Sequence, residues 1–132
     1  MLPKRKPLRL STYDYTNNGL YFVTICTKGK ARILGRLENQ KIKFTLAGHI
    51  VNRTICDMGN QYDAVSIIQY VIMPNHVHLV VALQGNKNRS DMSLSQFINL
   101  LKGRISRKYG SSLWQRGFYE HVVRNKADLF RI

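Results

Sequence analysis

Two of the four histidines in the chain, His76 and His78, stand two positions apart in "YVIMPNHVHLVV", residues 70–81, a stretch that is otherwise largely apolar. In an extended strand, side chains i and i+2 project to the same face. The two imidazoles therefore stand side by side, and Val77 and Leu79 point the other way. Neutral imidazoles held like this can both offer a lone pair to one divalent cation. Such a site leaves coordination positions open for a third protein ligand and for a phosphate oxygen. The competing reading is two packed histidines, each satisfied by a backbone group, and the spacing alone does not decide between them.

A second set of chemistry-bearing residues lies in "LSQFINLLKGRISRKYG", residues 94–110. Phe97, Ile98, Leu101 and Ile105 recur at helical spacing, and Lys102, Arg104, Arg107 and Lys108 fall mainly outside that apolar stripe. A helix of this kind can lay its cations along a phosphate backbone. The alternative is a solvated face, but no Asp or Glu occurs anywhere over 93–117 to balance the charge. Further on, "LWQRGFYEHVVRN" interleaves Trp114, Phe118 and Tyr119 with Arg116 and Arg124. Aromatic rings among arginines suit single-stranded nucleic acid, in which bases stack and guanidiniums take phosphates. Trp114 and Phe118 can equally serve to pin the tail onto the domain, whereas Tyr119 and His121 fit either role.

The elements that must position these residues follow from periodicity and turn signals. The β-branched and aromatic run over 20–27 reads as a central strand. A second strand is expected over 31–37, and "KIKFTL" at 41–46 alternates as a half-exposed strand does. Ile50, Val51, Ile55 and Met58 imply a helix over 47–60. Strands over 64–73 and 76–83 flank a Pro74–Asn75 turn, and 84–91 is a loop. A helix beginning at Ser93 or Ser95 should end near Tyr109 and Gly110. The tail reads as irregular, then as the start of one more helix from about residue 126, preceded by Asn125. The whole is expected to be a single domain over 1–132 with a basic N-terminal arm over 1–18. Its fold class is α+β, a ferredoxin-like antiparallel sheet with helices packed on one face.

Composition narrows the partners. The 132 residues carry 21 Lys and Arg against 7 Asp and Glu, a net charge of +14, which calls for a polyanion, most commonly nucleic acid. An acidic membrane is the weaker alternative, because no segment reads as a basic amphipathic surface helix. Neither a signal peptide nor a run of transmembrane length is evident. Cys26 and Cys56 read as buried free thiols of a reducing compartment, and a cytoplasmic location is expected.

Together these pieces resemble the REP-associated single-tyrosine transposases of the His-hydrophobe-His nuclease class. "YDYTNNGLYFVTICT", "VIMPNHVHLVV", "LSQFINLLKGRISRKYG" and "LWQRGFYEHVVRNKADL" follow one another in the family's order. The resemblance implies cleavage and rejoining of single-stranded or hairpin DNA through a 5'-phosphotyrosine link, with Mg2+ or Mn2+ held by His76 and His78. It also implies that the nucleophilic tyrosine sits on the last helix, which by the family's spacing falls just beyond Ile132. No tyrosine follows Tyr119 here. The leading expectation is a form truncated before the nucleophile, which binds DNA and metal without cleaving. Tyr119 or Tyr109 as a substitute, and a tyrosine supplied across a homodimer, are the other readings. Two rivals stand outside the resemblance: a non-catalytic nucleic-acid-binding protein, and a metal-dependent nuclease that uses activated water.

Overall fold

The structure, a computed structural model, describes residues 19–59, 61–62, 64–83 and 92–122. The basic arm, the 84–91 loop, Arg124 and the helix expected from about residue 126 lie outside the described residues.

The chain runs through β1 (Gly19–Cys26), β2 (Gly35–Glu38), β3 (Lys41–Phe44), α1 (Leu46–Met58), β4 (Val65–Ile72), β5 (His76–Leu83), α2 (Leu94–Tyr109) and β6 (Tyr119–Val122). Four strands form one sheet in the order β4-β5-β1-β6, and all its pairings are antiparallel. With the β2–β3 ribbon set aside, the order is strand, helix, strand, strand, helix, strand. That is the expected ferredoxin-like arrangement.

Local chemistry sets the helix ends. Thr45 leaves the alternation of β3 because its hydroxyl accepts from the Gly48 amide at 3.2 Å and caps α1. Ser93 and Gln96 exchange hydrogen bonds in a capping box at the start of α2. Gly110, at φ 97°, closes that helix in the left-handed region, as its place in the sequence suggests.

Three expectations need correction. The cysteines are free but not buried, Cys26 being half-buried on β1 and Cys56 exposed on α1. The strand expected over 31–37 starts only at Gly35, because the chain first makes a single 3-10 turn at Lys28–Lys30 and the Leu34 amide then bonds to the Pro74 carbonyl. From there β2 pairs with β3 alone and does not join the main sheet. The fourth sheet strand comes from the tail read as irregular: β6 is exposed along its whole length, so it carries no burial alternation to read.

Strand alternation divides the sheet into two faces. Val23 and Ile25 of β1 with Val77, Leu79 and Val81 of β5 form one core with Val51, Ile55 and Met58 of α1 and Phe97, Ile98, Leu101 and Ile105 of α2. Both helices thus cover the same face. Phe22, Thr24, Cys26, His76 and His78 point to the other.

Candidate functional site

The register of β1 against β5 places Thr24 opposite His78 and Cys26 opposite His76. The two imidazole centroids are 4.6 Å apart with the rings edge to face at 72°. Each ring is held from its Nδ1 side. Asn75 donates from Nδ2 to the Lys30 carbonyl at 3.4 Å, which turns its Oδ1 toward His76 Nδ1 at 2.7 Å. An amide oxygen only accepts, so His76 carries its proton on Nδ1 and its lone pair on Nε2. Thr24 Oγ1 lies 3.0 Å from His78 Nδ1, where it can accept in the same way. Phe22 stacks on the His78 ring at 5.1 Å.

Both histidines are held below the ordinary imidazole range. For His76 the cause is burial; for His78 it is burial first and the neighbouring His76 second. They are therefore neutral at pH 7, the form that ligates metal. Two neutral imidazoles, each with Nδ1 engaged by a neighbour, could serve one divalent cation as two of its ligands. Among the described residues no group of three or more His, Cys, Asp and Glu could hold a metal. Nitrogen donors of this kind suit Mn2+ better than Mg2+, which prefers oxygen.

The histidines open into a cleft of about 330 Å³ lined also by Thr24, Cys26, Lys30, Asn75 and Tyr119. Tyr119, on β6, pairs with Thr24 across β1, and Gln115 Nε2 approaches its hydroxyl at 3.5 Å. The structure thus brings Tyr119 and Lys30 to the histidine pair. His121 lies two residues further along β6, opposite Phe22 and exposed, and does not line the cleft. Tyr109 ends α2 on the helical layer, away from the cleft.

The cations expected on the basic helix are not gathered at the histidines, since α2 packs on the opposite face. Lys102 Nζ donates to the carbonyls of Gln115 and Gly117 at 2.9 and 2.8 Å, and burial lowers its pKa. Its ammonium fastens the segment leading into β6. Arg104 reaches Gln61 Oε1 at 3.0 Å and the Tyr62 hydroxyl at 3.4 Å. Lys108 lies 3.8 Å from Asp57, and Arg107 is exposed. Arg116 is exposed just before β6. Trp114 is buried and bridges to Thr27, and Phe118 packs against the core, so these two do pin the tail.

Sequence reasoning missed Thr24, Asn75, Phe22 and Lys30. Asn75 sits directly before the first histidine, where Pro74–Asn75 reads first as a turn. The other three reach the site through pairing with distant segments, which spacing along the chain does not encode.

Residues 17–129 match the family described as IS200-like transposase. An uncharacterised protein of Haemophilus influenzae strain Rd is 27% identical over 150 aligned positions, covering 97% of this chain and 83% of that protein. A candidate REP-associated tyrosine transposase from the same strain is 28% identical over 127 positions, covering 88% of this chain and 66% of that protein. Among solved structures, a REP-associated tyrosine transposase bound to a REP hairpin superposes with a TM-score of 0.63 at 21% identity, covering 86% of this chain and 61% of that one. A candidate transposase from Deinococcus radiodurans R1 gives 0.58 at 17% identity, with 96% and 91% covered. The chain thus spans less than two thirds of the two REP-associated proteins, and the structural likenesses establish the fold.

Proposed function

Because the chain belongs to the IS200-like transposase family, we propose that it binds single-stranded and hairpin DNA and holds a divalent cation, Mn2+ in preference to Mg2+, between His76 and His78. One observation carries this reading. Two neutral imidazoles share one face of a sheet, each with Nδ1 engaged by a neighbouring side chain, at the floor of a cleft bordered by Lys30.

Within that cleft the cation, when bound, would polarise a phosphodiester. Lys30 supplies positive charge at its edge for a neighbouring phosphate. Thr24, Asn75 and Phe22 fix the ring orientations, so the two histidines need no rearrangement to bind. The family's reaction, cleavage of a single strand with a tyrosine-linked 5' phosphate and later rejoining, is proposed for the complete site. A third metal ligand and the attacking tyrosine are then supplied from outside the described residues. On this reading the described residues by themselves bind DNA without cutting it, and a partner chain that carries the tyrosine would complete the site.

A second reading is favoured by a specific observation. Tyr119 lines the same cleft as both histidines and could itself be the nucleophile. One experiment separates these readings. A labelled DNA hairpin with single-stranded flanks is titrated with the 132-residue chain with and without Mn2+, binding being read on native gels and adducts or cleavage under denaturing conditions. Binding that is tightened by Mn2+ and lost in His76→Ala/His78→Ala, with no adduct, is expected. An adduct that disappears in Tyr119→Phe would move the nucleophile to that residue. Binding that ignores Mn2+ and both histidine substitutions would leave a non-catalytic nucleic-acid-binding protein, and cleavage with no adduct would point to activated water.

A further inference from the structure

The β2–β3 ribbon takes no part in the histidine cleft or the main core sheet, and its residues make an unusual set. Arg36 stands directly opposite Lys43, and Glu38 opposite Lys41, so all four side chains share one face, and all are exposed. Like charges opposed across a ladder cost stability unless an anion joins them. The single carboxylate, Glu38, takes Arg36 Nε at 2.7 Å, and among the described residues neither Lys41 nor Lys43 has an ion-pair partner. The turn itself is Asn39–Gln40, with φ of 52° and 65°. Two successive left-handed residues make the tight hairpin turn that glycine holds most comfortably. Here both positions carry amide side chains, and neither amide has a hydrogen-bond partner among the described residues. Leu37, on the other face near the tip, is 65% exposed.

We propose that this ribbon is a second nucleic-acid contact, which enters the major groove of the double-stranded stem of a DNA hairpin and reads base edges through Asn39 and Gln40. The proposal rests on the reading that the chain binds hairpin DNA. The dimensions agree: four-residue strands reach about 13 Å, and a major groove about 12 Å wide admits a two-stranded ribbon. The side chains agree as well, since Asn and Gln can pair bidentately with adenine, and an apolar side chain such as Leu37 can cover a thymine methyl. Lys41, Lys43 and Arg36 are placed to meet the phosphates that wall the groove.

Its attachment ties the ribbon to the cleft. The Leu34 amide bonds to the Pro74 carbonyl at 2.9 Å, one residue before the ribbon begins, and Asn75 holds the Lys30 carbonyl. Lys28, Lys30 and Arg32, all exposed, run between the two sites. A stem gripped by the ribbon therefore leads its single-stranded flank toward His76 and His78.

The test uses a pool of DNA hairpins randomised in the stem and selected on the unaltered chain. Asn39→Gly/Gln40→Gly removes both amides while keeping a turn that glycine favours, so the fold is retained. This variant should bind the selected hairpin about tenfold or more weakly, lose preference over a scrambled stem, and bind an unpaired strand as before. Lys41→Ala/Lys43→Ala should weaken all stems alike and reduce the salt slope by about two. Equal affinity and equal preference in the glycine variant would overturn the ribbon assignment alone. Failure of the unaltered chain to bind any hairpin would overturn both this assignment and the reading beneath it.

Discussion

His76 and His78 depend on neighbouring side chains for their orientation. Thr24 and Asn75 engage the Nδ1 atoms at 3.0 and 2.7 Å, which sets the rings before any ligand arrives. Removing such partners typically costs ten- to a hundredfold in metal affinity. Thr24→Val and Asn75→Ala should each weaken Mn2+ binding by about tenfold in calorimetry, with the thermal midpoint little changed for Thr24→Val. The histidine pair was legible in the sequence because strand alternation is a local rule. Its orienting partners were not. Thr24 arrives by cross-strand register, and Phe22 stacks on a histidine more than fifty positions along the chain.

At the scale of elements, two helix glycines make opposite demands. A Cβ on Gly48 would stand 1.9 Å from the Leu34 carbonyl oxygen, where α1 meets the root of the ribbon. Gly48→Ala must push backbone apart and should cost about 3 kcal/mol. On Gly103 of α2, a Cβ would meet only the flexible guanidinium of Arg107 at 3.4 Å. Gly103→Ala should therefore stabilise the chain by about 0.5–1 kcal/mol. Urea unfolding of both variants checks the contrast. Both helices were legible because capping residues and apolar stripes are written in consecutive positions. β6 was not, since four exposed residues pair with β1 only because Lys102 and buried Trp114 bring the tail there. The ribbon's separation from the sheet was equally hidden, because it turns on one hydrogen bond between Leu34 and Pro74.

Across the whole molecule, the cations among the described residues stand on both the cleft side and the helical layer, which face opposite ways. The cleft has Lys30, and the helical layer has Arg107 free of ion pairs among the described residues, while Lys102, Arg104 and Lys108 are engaged within the fold. A short strand cannot lie in the cleft and along α2 together. Lys30→Ala should weaken binding of a short single strand and lower its salt slope by about one. Arg107→Ala should leave that strand's binding nearly unchanged and act only on longer DNA. Anisotropy titrations at several salt concentrations distinguish the two. Charge balance was legible from composition, but its division between layers needed the fold.

The pairing of β6 with β1 carries a last consequence, for the order in which the site is built. β4, β5 and the turn between them are consecutive, so the histidines can be set beside each other early, at little loop-closure cost. β6 must wait until α2 has formed and turned back, and then adds an exposed four-residue edge to a sheet already in place. Short exposed edges are the first parts of a fold to open. The wall bearing Tyr119 is thus the last part of the cleft to be assembled and the first to come away, while the histidine floor stays intact beneath it.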